Sequence, residues 1–361
     1  MQDADAKKFG PVERVADISA PWLTAALGNA GLEAEVARVS AAPIGTGQMA
    51  DSFRLEVMYA NDVTDRPSSF VMKMQAADGL SRQAGAGGAY ESEVRFYKDL
   101  GPTLDVLAPR CFYTVGPDDK HRFALLLEDM SPAKQGDQLQ GCNLEAARSA
   151  VLNLARLHGP RWCDATLKNS FWYRTPEQTK ALGAAVQDST ARFVAHYEGR
   201  ISKEDQAVLQ AFAPQCSRWL QGRSERFAPV HGDYRLDNLL FRTTEAGAIE
   251  VTAVDWQTLD IGLPGRDLGY FLGNSLKPDD RRRFEEDLVR CYYDALLRYD
   301  VKNYAWQTCF DDYRYGQFQG LMITVLAAVG LSHTERGDDM FMAMSSRACE
   351  AIRDLDSFDL L

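Results

Sequence analysis

The 361-residue sequence lacks the marks of several large protein classes. Its seven cysteines, at 111, 142, 163, 216, 291, 309 and 349, are scattered, odd in number and never in a C-x-x-C pair. That argues against a disulfide framework or a zinc site and for a reducing compartment. Positive charge is in deficit, since 40 Lys and Arg face 51 Asp and Glu for a net −11. Such a surface repels a polynucleotide backbone, so no nucleic-acid partner is expected. Residues 1–10 hold no apolar core of the kind a signal peptide needs. The longest apolar run, residues 320–331, is about half a membrane span. A cytoplasmic protein without a membrane span is expected. No G-x-x-x-x-G-K-[ST] is present, which removes a P-loop mechanism, and no G-x-S-x-G, which removes the usual hydrolase elbow. Gly85, Gly87 and Gly88 do not form a G-x-G-x-x-G opening a helix, so a dinucleotide fingerprint is absent. No repeat at solenoid periods is visible.

What remains is ordinary globular material, 45% hydrophobic and 25% charged, and too long for one small core. Ser19, Pro21 and the stripe Trp22, Leu23, Ala26 and Leu27 predict a short N-terminal helix. Strand patterns follow at 53–59, 69–75, 109–115 and 122–127, with a Gly-rich loop at 84–88 and a helix at 90–100. After residues 128–132 helices dominate, at 143–158, 175–198, 202–221, 279–298 and 309–331. One strand pair, 238–242 and 249–256, interrupts them around a TTEAGA turn. The expected architecture is α+β and bilobal. A small β-rich lobe spans residues 1–128 and a larger α-helical lobe spans 129–361.

The strongest chemical signal is His231-Gly232-Asp233-Tyr234-Arg235-Leu236-Asp237-Asn238, which reads H-G-D-x-x-x-x-N. The catalytic loop of kinases has the same Asp and Asn spacing, with Asp accepting a hydroxyl proton and Asn holding Mg²⁺. A short loop must present a carboxylate to an acceptor hydroxyl, then turn back to offer an amide oxygen to a metal. The second strand of the following pair closes on Asp255, where a second metal-binding carboxylate is needed.

These motifs resemble the aminoglycoside phosphotransferase and choline kinase group, which has a protein-kinase-like fold. The Asp255-Trp256-Gln257 form, the helix end Leu157-His158 and the stretch Gly265-Arg266-Asp267-Leu268-Gly269-Tyr270-Phe271-Leu272 are most similar to its ecdysteroid-kinase-like branch. The resemblance runs from about Ala42 onward. It implies Mg·ATP-dependent phosphoryl transfer to a hydroxyl of a small molecule. Asp233 is then the catalytic base, and Asn238 and Asp255 are the Mg²⁺ ligands. A loop containing Gly45 and Gly47 would cover the phosphates, with Ala50 where protein kinases carry a third glycine. Lys73, inside the strand SFVMKMQ, would meet the phosphates. The rival reading of Lys73 is an edge-strand residue pointing to water. Glu93 and Glu91 compete to orient that Lys. On a helix begun at Tyr90, Glu93 falls within the apolar stripe and Glu91 outside it, which selects Glu93. The hinge residues Glu128 and Met130 would bond the adenine edge through their main chains.

Other residues carry plainer expectations. His158 reads as a core histidine, His231 as a brace for its loop, and Asp267 as an N-cap or an anchor of that loop. Asp237 reads as structural. Arg235 would either meet the transferred phosphoryl group or pair with a nearby acid. The charge run 280–287 reads as a solvated helix face. Nine aromatic residues between Tyr292 and Phe318 read either as helix packing or as the wall of a pocket for an apolar, ring-bearing alcohol. An amino-sugar acceptor is the rival within kinases. A catalytically silent nucleotide-binding protein is the rival outside them. Protein substrates are disfavoured, because no A-P-E motif follows Asp255.

Overall fold

The computed structural model describes residues 10–45, 49–61, 66–331 and 333–361. It divides into two compact units. The first holds residues 1–102, 108–131 and 255–257, and the second holds 103–107, 132–254 and 258–361.

The first unit is built on an antiparallel sheet of β1 (Val36–Ile44), β2 (Ala50–Tyr59), β3 (Ser69–Gln75), β4 (Cys111–Val115) and β5 (Ala124–Glu128), in the order β1-β2-β3-β5-β4. β3 is central, paired on both edges, with Lys73 opposite Ser52 on one side and Leu125 on the other. One face carries Leu55, Val57, Phe70 and Met72 against Trp22, Leu23 and Leu27 of α1 (Ala20–Asn29). Ser19 caps that helix by accepting from the Trp22 N–H, as its sequence predicts. The opposite face packs Leu125 and Leu127 against Tyr90 and Val94, on a helix described below. Because both faces are covered, a side chain on either face of β3 is taken out of water.

Three local features differ from the sequence reading. β1 was not expected as a strand. It is an edge strand, exposed along most of its length and carrying Pro43, so it needs no apolar alternation to betray it. The stretch expected as a Gly-rich loop begins inside α2 (Gly79–Ala86), with Gly85 lying so close to the Tyr90 ring that a Cβ would overlap it. The helix after it is α3 (Ala89–Arg95), which widens into a π-helical turn at Phe96–Leu100.

The second unit is helical around two small antiparallel sheets. α4 (Leu144–His158) and α5 (Pro176–His196) are as expected. The expected helix at 202–221 breaks at Pro214 into α6 (Lys203–Phe212) and α7 (Cys216–Gln221). The sheets pair β6 (Lys134–Gln135), β8 (Leu239–Thr243) and β9 (Ile249–Ala253), and separately β7 (Ala228–Val230) with β10 (Asp260–Gly262). Then follow α8 (Gly265–Ser275), α9 (Pro278–Leu297), α10 (Trp306–Gly316), α11 (Phe318–Gly330) and α12 (Glu335–Asp354). Among the described residues no helix is long and apolar enough to cross a membrane.

α8 is buried along its whole length. Glycine makes that possible: a Cβ on Gly269 would overlap the Gly316 backbone, and one on Gly316 would overlap the Gly265 carbonyl. This close crossing also explains why the run expected as one helix at 309–331 is two, α10 and α11, meeting at Gln317. The charge run of α9 is not wholly solvated. Arg281 is fully buried, bonded to Glu285 at 2.8 Å and paired with Asp354 of α12. Of the nine clustered aromatics five are packed inside, while Tyr293, Tyr299, Trp306 and Phe310 are partly exposed. Tyr292, Tyr304, Tyr313, Tyr315 and Phe318 are buried, and the Tyr313 and Tyr315 hydroxyls donate at 2.7 Å to Glu285 and to the Trp219 carbonyl.

The glycine crossing yields a test. Gly316→Ala adds a methyl group with no room for it, so we expect a loss of about 1–3 kcal/mol and a lower Tm. An unchanged thermal midpoint would contradict the close approach of α8 and α10.

Candidate functional site

Two constellations of polar side chains stand out, one in each unit.

In the first unit, the Lys73 ammonium lies 2.9 and 2.7 Å from the two Glu93 oxygens and 3.0 Å from Asp255 Oδ1. Lys73 is 8% exposed and Glu93 fully buried. The edge-strand reading of Lys73 is therefore wrong, because β3 is interior. Glu91 instead pairs with Arg95 on its own helix. Burial pulls the Lys73 ammonium down, but Asp255 and Glu93 more than offset it and hold the pKa at about 12. Burial raises the Glu93 carboxyl, with Lys73 opposing. Removing one partner from such a pair leaves an uncompensated buried charge, typically costing about 3–5 kcal/mol.

Asp255 is presented by an unusual backbone. Its φ of 67° lies in the left-handed region, a conformation that costs energy for a non-glycine residue and clusters at functional sites. The residues after it are clamped. Trp256 stacks on Phe96 with ring centroids 3.7 Å apart, and its carbonyl accepts from Ser92 Oγ at 3.0 Å.

The other expected nucleotide-side residues are less defined. Gly45 follows β1 at a φ of 73°, where glycine is at no disadvantage. Gly47 lies outside the described residues. Glu128 ends β5, donating its N–H to the Arg110 carbonyl at 2.8 Å, and Met130 follows half-buried.

In the second unit, the H-G-D loop hangs on one buried carboxylate. Asp267, in the first turn of α8, accepts from the backbone N–H of His231 at 2.6 Å and of Gly232 at 2.9 Å. His158 Nε2 lies 3.3 Å from the same carboxylate, and its Nδ1 lies 2.8 Å from the Tyr292 hydroxyl. Burial alone would raise the Asp267 carboxyl, but these donors hold it below the ordinary range. His231 braces the loop: Nε2 donates to the Val254 carbonyl at 3.0 Å, while Nδ1 accepts from the Asp233 N–H at 3.3 Å. Gly232, at φ 81°, passes so close to the Thr258 carbonyl that a Cβ would collide with it.

The Asp233 carboxylate is held by three donors. The Tyr270 hydroxyl bonds Oδ1 at 2.7 Å. Asn238 Nδ2 and Arg235 Nε bond Oδ2 at 2.9 and 3.2 Å. Arg235 also bonds Asp237 at 2.8 Å and touches the Met340 sulfur, so its guanidinium pairs with acids of its own loop. Asp237 in turn accepts from the Gln138 N–H at 3.0 Å, a structural role. Tyr270 is the residue that sequence reasoning missed. In an apolar helix a tyrosine reads as core, and only the fold shows its hydroxyl aimed at Asp233. Burial and the Asp233 charge push its pKa well up, so it stays a donor.

The donor chemistry fits a hard divalent cation. The Asn238 amide donates through Nδ2 to Asp233, which leaves its oxygen as the ligand atom. Around Lys73 two carboxylates face one ammonium, an anionic surplus. Amide and carboxylate oxygens are what Mg²⁺ selects.

With this geometry in view, likenesses to known proteins can be read. The model of the ecdysteroid kinase-like family matches residues 45–303. No curated protein matches the chain. Among solved structures, a choline kinase from Cryptosporidium parvum is 12% identical, with a TM-score of 0.59 over 90% of this chain and 91% of its own. An ethanolamine kinase from Plasmodium vivax is 8% identical, with a TM-score of 0.52 over 88% and 83%. An aminoglycoside 2′-phosphotransferase solved with GDP is 13% identical, with a TM-score of 0.51 over 86% and 93%. At such identities the likeness is one of fold, a kinase-like arrangement of a sheet-rich N-terminal part and a larger helical C-terminal part.

Tyr270→Phe keeps the ring and removes one bond to a charged group. We expect a loss of about 1–3 kcal/mol in thermal unfolding, and no further loss when it is combined with Asp233→Asn beyond that variant's own. Fully additive losses would show that the hydroxyl does not act through Asp233.

Proposed function

The chain belongs to the ecdysteroid kinase-like family, and we propose that it moves the γ-phosphoryl group of Mg·ATP to a hydroxyl of a small molecule. The observation that carries this reading is the Asp233 carboxylate, fixed by Tyr270, Asn238 and Arg235 within the H-G-D-x-x-x-x-N loop.

Asp233 orients the acceptor hydroxyl and takes its proton as the new O–P bond forms and ADP departs. A carboxylate has about four lone-pair sites, so three bound donors leave room for one hydroxyl. Lys73, oriented by Glu93, binds the phosphates, and a loop beginning at Gly45 would cover them. The main chains of Glu128 and Met130 hold the adenine edge. Asn238 and Asp255 would hold Mg²⁺, which neutralises charge developing on the phosphoryl oxygens when bound. The transition state is loose, so positioning and charge neutralisation supply most of the rate. Residues 1–128 form the nucleotide-binding lobe, and 129–361 carry Met130, the metal ligands, the base and the acceptor site.

The acceptor is an alcohol, and an apolar, ring-bearing one is our first choice. The burial of five of the nine aromatics between Tyr292 and Phe318 weakens one motive for that choice, so an amino sugar is tested beside it. The cytoplasm is the compartment we propose, supported by seven cysteines that are all free.

The test is an ATP-consumption screen over sterols, amino sugars, choline-like alcohols and hydroxy acids. Asp233→Asn is expected to keep Mg·ATP-induced thermal stabilisation and to lose about 10²–10⁴-fold in turnover. Undiminished turnover would remove Asp233 as the base. Asp255→Ala is expected to weaken Mg·ATP stabilisation, and an unchanged shift would remove its metal role. Nucleotide binding without turnover of any acceptor would favour a silent nucleotide-binding protein.

A further inference from the structure

A second cluster of ligand-competent side chains lies in the helical unit and shares no residue with the kinase constellations. α5 ends at His196, and His333 precedes α12. Their imidazole rings lie nearly parallel, 4.3 Å apart between centroids and 25° between planes. Asp338, in the first turn of α12, lies beside them: its Oδ1 is 3.0 Å from His333 Nδ1. One nitrogen or oxygen of each of the three residues falls within 4.8 Å of the others. Among the described residues this is the one group of three His, Cys, Asp or Glu side chains that comes so close.

Both imidazoles are exposed, yet the array is held from beneath. The buried Tyr197 donates its hydroxyl to Asp338 Oδ1 at 2.6 Å. The start of α12 is itself fixed, because Thr334 Oγ1 accepts from the Gly337 N–H at 3.0 Å. A carboxylate oriented by an outer donor, with imidazoles beside it, is the outer-shell pattern of metal centres. The stacked rings set two imidazole nitrogens beside one carboxylate oxygen, a mixed nitrogen and oxygen donor set. Bonds from His333 and Tyr197 hold the Asp338 carboxyl below its ordinary range, which keeps it anionic.

We propose that His196, His333 and Asp338 bind a borderline divalent transition ion such as Zn²⁺, with water completing the shell. Two nitrogens and one carboxylate oxygen suit Zn²⁺, and suit Mg²⁺ or Ca²⁺ poorly because those ions select oxygen. Tetrahedral Zn²⁺ with bonds of ~2.0–2.1 Å needs ligand atoms about 3.4 Å apart. Closing that gap calls for rotation of the two exposed rings. The ion would tie the end of α5 to the start of α12, the helix whose Met340 touches Arg235.

The experiment is calorimetric titration of the full-length protein with ZnCl₂ in excess Mg²⁺, alongside Co²⁺ absorption spectra. Wild type is expected to bind one equivalent. His196→Ala and His333→Ala should each weaken binding at least about tenfold, and Tyr197→Phe by about tenfold through loss of the outer donor. The Co²⁺ spectrum should show d–d bands without a thiolate charge-transfer band. The exposed Cys163 is the competing ligand. The proposal is overturned by no stoichiometric binding, by wild-type affinity in either histidine variant, or by a thiolate band. None of these outcomes bears on phosphoryl transfer.

Discussion

The helical unit is organised around one buried anion. Asp267 has no access to water, and a carboxylate there is tolerable only if every lone pair that matters is met. The donors that meet it are the His231 and Gly232 N–H groups and His158. That requirement fixes the H-G-D loop to the first turn of α8. The same helix then delivers Tyr270 to Asp233, three residues further on. α8 can do both only because it is sunk in protein on all sides, and it can be sunk only because Gly265, Gly269 and Gly316 let backbones meet. The glycines, the anchor and the base thus belong to one chain of dependence.

Much of this was legible in the sequence where chemistry and burial conflict. A lysine inside SFVMKMQ and a glutamate inside an apolar helical stripe both demand partners, and the structure gives each the other. The H-G-D-x-x-x-x-N spacing was readable because so few folds need it. His158, His231 and Asp267 were read as structural, and their bonds are those of anchors and braces. Other features were hidden for definite reasons. Edge strand β1 buries too little to show a pattern. Arg281 sits in a run of charges, and its partner Asp354 lies 73 residues away. α12 was missed although Met340, Met344 and Ala348 repeat at helical spacing, because charged residues crowd its start. Tyr270 was invisible because a hydroxyl has no signature in a pattern of apolar residues.

The two constellations solve different electrostatic problems. Lys73 is a cation stabilised by an excess of carboxylate, and its charge is secure at any physiological pH. Asp233 is an anion stabilised by an excess of donors. Those three donors fix where the carboxylate sits, which suits a reaction whose transition state asks for placement more than for early proton removal. The left-handed backbone at Asp255 is the one clear strain among these residues, and it presents the carboxylate that faces Lys73.

The most direct test of the account is a crystal structure of the chain with Mg²⁺ and a non-hydrolysable ATP analogue. The account predicts Mg²⁺ bound by Asn238 Oδ1 and the Asp255 carboxylate at about 2.0–2.1 Å, with the Lys73 ammonium against the phosphates and still bonded to Glu93. A nucleotide bound without contact to Lys73, or a metal held by neither Asn238 nor Asp255, would contradict it.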